Sequence, residues 1–151
     1  ALVLRGERMS RSHPDLEILE PFRFRLAVLE IEEVGLPSFR VELEVRFDHS
    51  NGWFGAISRD TWFETEQWDK FARGLRRLRN WQSQSIELED MSGLAIVSIK
   101  ALGKEAFQLQ YKLERAVFGL GSGVLELNHE IDMGCLDVLI SRIQEFPRWW
   151  I

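Results

Sequence analysis

Residues 61–81, TWFETEQWDKFARGLRRLRNW, constrain the fold more than any other stretch of this chain. Trp68, Phe71, Leu75 and Leu78 recur at i, i+3, i+7 and i+10, which makes one apolar stripe on a 3.6-residue helix. A helix is therefore expected over about 64–81. Thr65 is the expected N-cap, because its hydroxyl can accept from an unpaired first-turn N–H. Glu64 and Glu66 place negative charge at the positive end of the helix dipole, and Arg76, Arg77 and Arg79 place positive charge at the other. Glu66 with Lys70, and Asp69 with Arg73, are i,i+4 pairs in the favoured order, each contributing about 0.3 kcal/mol. Gly74 weakens the helix by roughly 1 kcal/mol relative to Ala, which is tolerable where a sheet must approach closely.

The segments on either side have period two. Phe39, Val41, Leu43, Val45 and Phe47 alternate with Arg40, Glu42, Glu44, Arg46 and Asp48, as a strand with one buried and one wet face requires. Residues 22–33 alternate more weakly, through Phe22, Phe24, Leu26 and Val28. The turn residues between them, Val34-Gly35-Leu36-Pro37-Ser38, make the two strands a hairpin. Matching apolar faces sets the parity of the pairing. A centred turn predicts Phe24 opposite Phe47, Leu26 opposite Val45 and Val28 opposite Leu43. Asn51-Gly52 is a second hairpin signal, returning as a strand over residues 53–59.

After the helix, strands are expected at 85–89, 94–101, 106–114 and 124–131, joined by short turns at 90–93, 103–105 and 119–123. Residues 2–5 fit a short edge strand, and residues 6–20 read as a polar arm. Leu136, Leu139, Ile140 and Ile143 define a C-terminal helix at about 133–146, capped by Asp132 and ended by Pro147. The expected fold is α+β, one domain over 1–151: an antiparallel meander sheet of about seven strands, with the helices packed on one face.

No residue pattern calls for a metal or cofactor. His13, His49 and His129 lie far apart, without metal-ligand spacing. Parity with Leu125 and Leu127 turns His129 inward. Cys135 falls in the first turn of the last helix, where the dipole can lower a thiol pKa, but no motif makes it a nucleophile. Gly119-Leu120-Gly121-Ser122-Gly123 lacks the Lys and the following helix of a phosphate loop, so it reads as a hairpin loop. A net charge of −5 argues against a nucleic-acid partner. No apolar run is long enough for a membrane helix. One cysteine excludes an intrachain disulfide and fits a cytoplasmic protein. No charged-then-apolar leader precedes the first strand, and the chain starts with Ala rather than Met, which points to a processed or cut start.

Two surfaces stand out as candidate partner sites. Lys70, Arg73, Arg76 and Arg77 share the helix face opposite the stripe and suit an acidic partner. Trp149 and Trp150 end the chain, and two indoles in water are costly, so they must pack on the core, on a protein partner or across a homodimer. Six Trp and ten Phe against one Tyr also suggest an alternative, a small-molecule-binding or enzymatic domain. In that reading Trp53, Trp62 and Trp81 line a pocket holding His49 or His129 beside a carboxylate.

The layout is similar to a known family. The residues that carry the likeness are Leu2-Val3-Leu4-Arg5, the hairpin of residues 22–48, Trp68-x-x-Phe71-x-x-x-Leu75-x-x-Leu78 and Ser85-Ile86-Glu87-Leu88-Glu89. They continue with His129-Glu130-Ile131-Asp132 leading into Leu136, and with Phe146-Pro147-Arg148-Trp149-Trp150. In these the chain resembles small bacterial WapI-type immunity proteins and related domain families. The resemblance implies an α+β fold and, for the immunity members, binding and neutralising a partner toxin in the cytoplasm. It brings no catalytic residues with it.

Overall fold

The computed structural model describes residues 14–117, 119 and 121–150. The expected edge strand at 2–5, and His13, lie outside them. The fold is α+β and antiparallel. Eight described strands divide into two meanders of four rather than forming one sheet. The first is β1 (Leu16–Ile18), β2 (Arg23–Glu32), β3 (Ser38–His49) and β4 (Gly52–Glu64). The second is β5 (Ser85–Glu89), β6 (Ala95–Ala101), β7 (Ala106–Val117) and β8 (Gly121–Asp132). Helix α1 (Thr65–Arg79) joins the sheets, and α2 (Met133–Glu145) follows β8. The inward residues of both sheets and both helices form one buried cluster.

The β2–β3 pairing differs from the centred-turn register for a physical reason. Beside the turn, Ile31 lies opposite Phe39 and Glu32 opposite Ser38. Continued unbroken, that register would set Phe24 across from Arg46, with an apolar and a charged side chain on the same face. A bulge between Val28 and Glu30 adds one residue to β2. Val28 then meets Val41, Leu26 meets Leu43 and Phe24 meets Val45. The parity is the expected one, and the pairing is displaced by two residues. The bulge residue Leu29 is itself buried.

Strand β4 runs further than expected, through Thr61 and Phe63, which pair with Val41 and Phe39 on the buried face. Helix α1 consequently starts at Thr65, and its N-cap is Glu64, which makes no side-chain capping bond. Thr65 is buried inside the first turn, and its N–H donates to Pro37 O at 3.0 Å. The stripe Trp68, Phe71, Leu75 and Leu78 is buried as expected. Each such side chain contributes about 1.5–3 kcal/mol through burial. Gly74 faces β5 across a gap too small for a methyl group: a Cβ there would stand 2.2 Å from Ile86 Cδ1. At the other end, the Trp81 N–H donates to Leu78 O and the Gln82 N–H to Arg77 O, with Trp81 at φ +61°. That is a Schellman cap with an indole where glycine is usual; the Trp81 ring stacks on Phe107 at 5.9 Å.

Three other expectations change in detail. Within the polar arm, Leu16–Ile18 forms β1, too short to announce itself by alternation but paired with Phe24, Arg25 and Leu26. The 119–123 loop shrinks, because β7 and β8 stay paired as far as Val117 and Gly121. Helix α2 matches its expected span, with the Asp132 carboxylate accepting from the Cys135 N–H at 2.7 Å.

Candidate functional site

Helices α1 and α2 lie antiparallel, since Trp68 meets Phe146 while Arg79 meets Asp137. Lys70, Arg73, Arg76 and Arg77 are all exposed, but the arrangement gives Arg76 a partner on α2. Arg76 turns into the helix seam, where Gln144, with its amide oxygen toward α1, accepts from Arg76 Nε at 3.2 Å and Nη2 at 2.9 Å. Asp69 does not serve Arg73. Its carboxylate holds the C-terminal tail, accepting from Arg148 and, at 2.9 Å, from Trp150 Nε1.

Trp149 and Trp150 are half-buried on the core. Trp150 stacks on Phe39 with ring centroids 5.7 Å apart, and Trp149 meets the same ring edge-on at 5.2 Å. Aromatic packing and the Asp69 carboxylate together account for the tail's position, so within the single chain these indoles close the core.

The residues of the alternative reading do not converge. Trp53 lies at the start of β4, Trp62 at its far end, and Trp81 after α1. His49 pairs its backbone with Gly52 at the β3–β4 turn. His129 does turn inward, with its ring 4.9 Å from Phe22 and 5.1 Å from Phe47. Its Nδ1 lies 2.6 Å from Glu130 O, which assigns the proton to that nitrogen. His129, Glu130, Asp132 and Cys135 border an open depression of about 770 Å³. Burial pushes the Cys135 thiol up to about 11, with the Asp132 charge adding to the effect. The helix dipole does not prevail there.

Sequence reasoning missed two features. The first is the outer face of β3 and β4. Trp53 is 51% exposed and Ile57 51% exposed, on either side of Gly55, where a Cβ would stand 2.5 Å from that of Arg46. Arg46 lies over the Trp53 ring at 5.5 Å. Beside them Glu44 is only 7% exposed, within 3.5 Å of Arg23, 3.9 Å of Arg25 and 3.6 Å of Arg46. Alternation put Glu44 on the wet face, and the three guanidinium groups cover it.

The second is a polar clamp between the sheets. A bulge in β4 between Ser58 and Thr61 places Arg59 and Asp60 against Glu42. Arg59 pairs with Glu42 at 3.0 Å, while Asp60 accepts from Arg115 of β7 at 2.6 Å. Ser58 Oγ donates to Asp60 at 2.8 Å and accepts from Arg115 at 2.9 Å. Burial raises the Asp60 carboxyl, but the bonds from Ser58 and Arg115 and the Arg115 charge outweigh it and hold the group below the usual range. Nearby, burial pushes the Tyr111 hydroxyl up to about 12. The signal in the sequence was the lapse of alternation at Ser58-Arg59-Asp60-Thr61.

Among the described residues no helix is long and apolar enough to cross a membrane. Comparison with protein-family models, curated proteins and solved structures finds no match to this chain. The likeness to WapI-type immunity proteins therefore rests on the apolar pattern quoted above.

Proposed function

We propose that this chain is a non-enzymatic, cytoplasmic protein-binding domain of the immunity kind, which neutralises a partner toxin by covering part of its surface. The observation that carries this reading is the outer face of β3 and β4, with Trp53 and Ile57 exposed among paired arginines and carboxylates. Aromatic side chains and arginine are the residues on which binding hot spots draw most, and apolar groups rimmed by polar ones mark interaction surfaces. Lys70, Arg73 and Arg77 add an exposed cationic patch on α1.

The test is capture with this chain, tagged, from its native cells, followed by mass spectrometry. The wild type is expected to retain one protein in stoichiometric amount, and Trp53→Ser/Ile57→Ser to release it without a change in melting temperature. Recovery of a tightly bound metabolite and no protein sinks the reading. A dimer in light scattering that the double variant dissolves reassigns the face to self-association.

The depression that sets His129 beside Glu130 and Asp132 favours the small-molecule or enzymatic alternative. A metabolite that raises the melting temperature of the wild type but not of His129→Ala would replace the first reading with the second.

A further inference from the structure

A sheet edge is a row of unpaired N–H and C=O groups on which another strand can pair, and proteins ordinarily blunt such edges. Among the described residues the edges belong to β1, β4, β5 and β8. Strand β1 has only 3 residues. Strand β5 has 5 and carries Glu87 and Glu89. Strand β8 opens on Gly121, Ser122 and Gly123, which give a partner little side chain to grip, and then carries Glu126, Glu130 and Asp132. Strand β4 is different: from Gly52 to Ser58 it has neither a charge nor a proline. Its bulge, with Arg59 and Asp60, comes only after that stretch.

The pairing of β4 with β3 fixes which of its groups face outward. The turn between them is Ser50-Asn51, so the closing pair, His49 and Gly52, exchanges backbone hydrogen bonds. Alternation makes Phe47 with Phe54, and Val45 with Ala56, the next bonded pairs. The N–H and C=O of Trp53, Gly55 and Ile57 therefore point away from β3, and no group among the described residues bonds to them. Exposed apolar side chains lie on both faces of this edge. Trp53 and Ile57 are on the outer face, and Phe54, opposite Phe47, is on the inner one. A globular surface laid on the outer face would leave Phe54 in water. A strand added edge-on straddles both faces and takes up the outward N–H and C=O groups as well.

We infer that the partner protein docks by adding one of its own strands to β4, as a fifth strand of this four-stranded sheet. The segment it supplies is extended and uncharged, with apolar side chains at alternate positions against Trp53 and Ile57. This rests on the protein-binding reading above and deepens it. A second copy of this chain fits the edge less well. Trp53, Phe54 and Ile57, each about half exposed, offer on the order of 300 Å² per chain, so two copies would bury about 600 Å², half of what a stable interface needs. A partner strand whose parent body also covers the Trp53–Ile57 face has no such limit.

The test is amide hydrogen exchange by NMR on this chain, alone and with a soluble peptide of alternating threonine and valine flanked by lysines. In the chain alone, the Trp53, Gly55 and Ile57 amides are expected to exchange at least about tenfold faster than those of Phe54 and Ala56. The peptide should protect those three saturably. The same peptide N-methylated at every central residue should bind at least about tenfold more weakly, the loss of one or more backbone hydrogen bonds. Ile57→Pro, which removes an outward N–H at an edge position that tolerates proline, should abolish the protection, and Ile57→Thr should keep it. Slow exchange of the three amides in the chain alone overturns the inference, because the edge is then already covered. Protection that rises with chain concentration overturns it in favour of a second copy. No saturable protection by the peptide, or equal binding of its N-methylated form or by Ile57→Pro, overturns it too. These readouts need no partner, so they stand apart from the capture experiment. A captured protein with an edge that takes no peptide removes the strand and leaves the protein-binding reading; a peptide-binding edge with no protein captured does the reverse.

Discussion

Trp150 donates its indole N–H to the Asp69 carboxylate at 2.9 Å, so the end of the chain is tied to the first turns of α1 across 81 residues of sequence. The same carboxylate accepts from Arg148. Asp69→Ala should remove both bonds and cost about 1–3 kcal/mol. For a chain of this size that lowers Tm by about 2–4 °C per kcal/mol. Trp150→Phe, which keeps a ring on Phe39, should cost less. Deleting residues 148–151 should cost more than either, because it also removes the two indoles from the core. Thermal unfolding followed by circular dichroism checks the order; equal melting of all four proteins would show that the tail contributes nothing.

Leu75 is fully buried, 0% exposed, at the centre of the α1 stripe. Leu75→Ala should destabilise the fold by about 2–5 kcal/mol, measured by urea unfolding. Parent-like unfolding would mean that the stripe is not a core face.

Gly74 and Ile86 should be coupled. In an open helix Gly→Ala stabilises by about 1 kcal/mol. Here the added methyl group meets Ile86, so Gly74→Ala should destabilise the wild type. In an Ile86→Ala background the space is free, and the same substitution should stabilise. A double-mutant cycle by chemical denaturation reads the change of sign directly; additive effects would place α1 further from β5.

The Asp60–Arg115 clamp predicts an acid limb in stability. The Asp60 carboxyl is held below its ordinary value of 3.8 in the folded chain. Its contribution is therefore complete above that value and is lost as pH falls through the lower folded value. Asp60 is largely exposed, so solvent screening limits the effect to about 1 kcal/mol or less. Asp60→Asn should unfold more easily than the wild type at about pH 6, and the two should converge near about pH 2. A difference that stays constant with pH would assign the loss to geometry rather than to charge.

Local periodicity made much of the fold legible. The stripe of α1, the alternation of β3, and the Asp132 cap and Pro147 stop of α2 all stand where the residues place them. The C-terminal end of β4 was not legible, because Thr61 and Phe63 satisfy a period of two as well as they satisfy a helix. What favours the strand is pairing with Val41 and Phe39, which lie about twenty residues earlier in the chain.

The sequence by itself determined which side of α1, α2, β2 and β3 faces the core, because inward and outward follow from a spacing of two or 3.6 residues along a single segment. It determined the parity of the β2–β3 pairing for the same reason. Only the tertiary structure decided the division into two sheets, the two-residue displacement at the Val28–Glu30 bulge, and the choice of charge partners. Asp69 finds Arg148 and Trp150, Arg79 finds Asp137, and Glu44 is covered by three arginines. Long polar side chains choose among partners by distance in space, and the partners of Asp69 and Arg79 lie 58 to 81 residues away in sequence, so local spacing carries no trace of them.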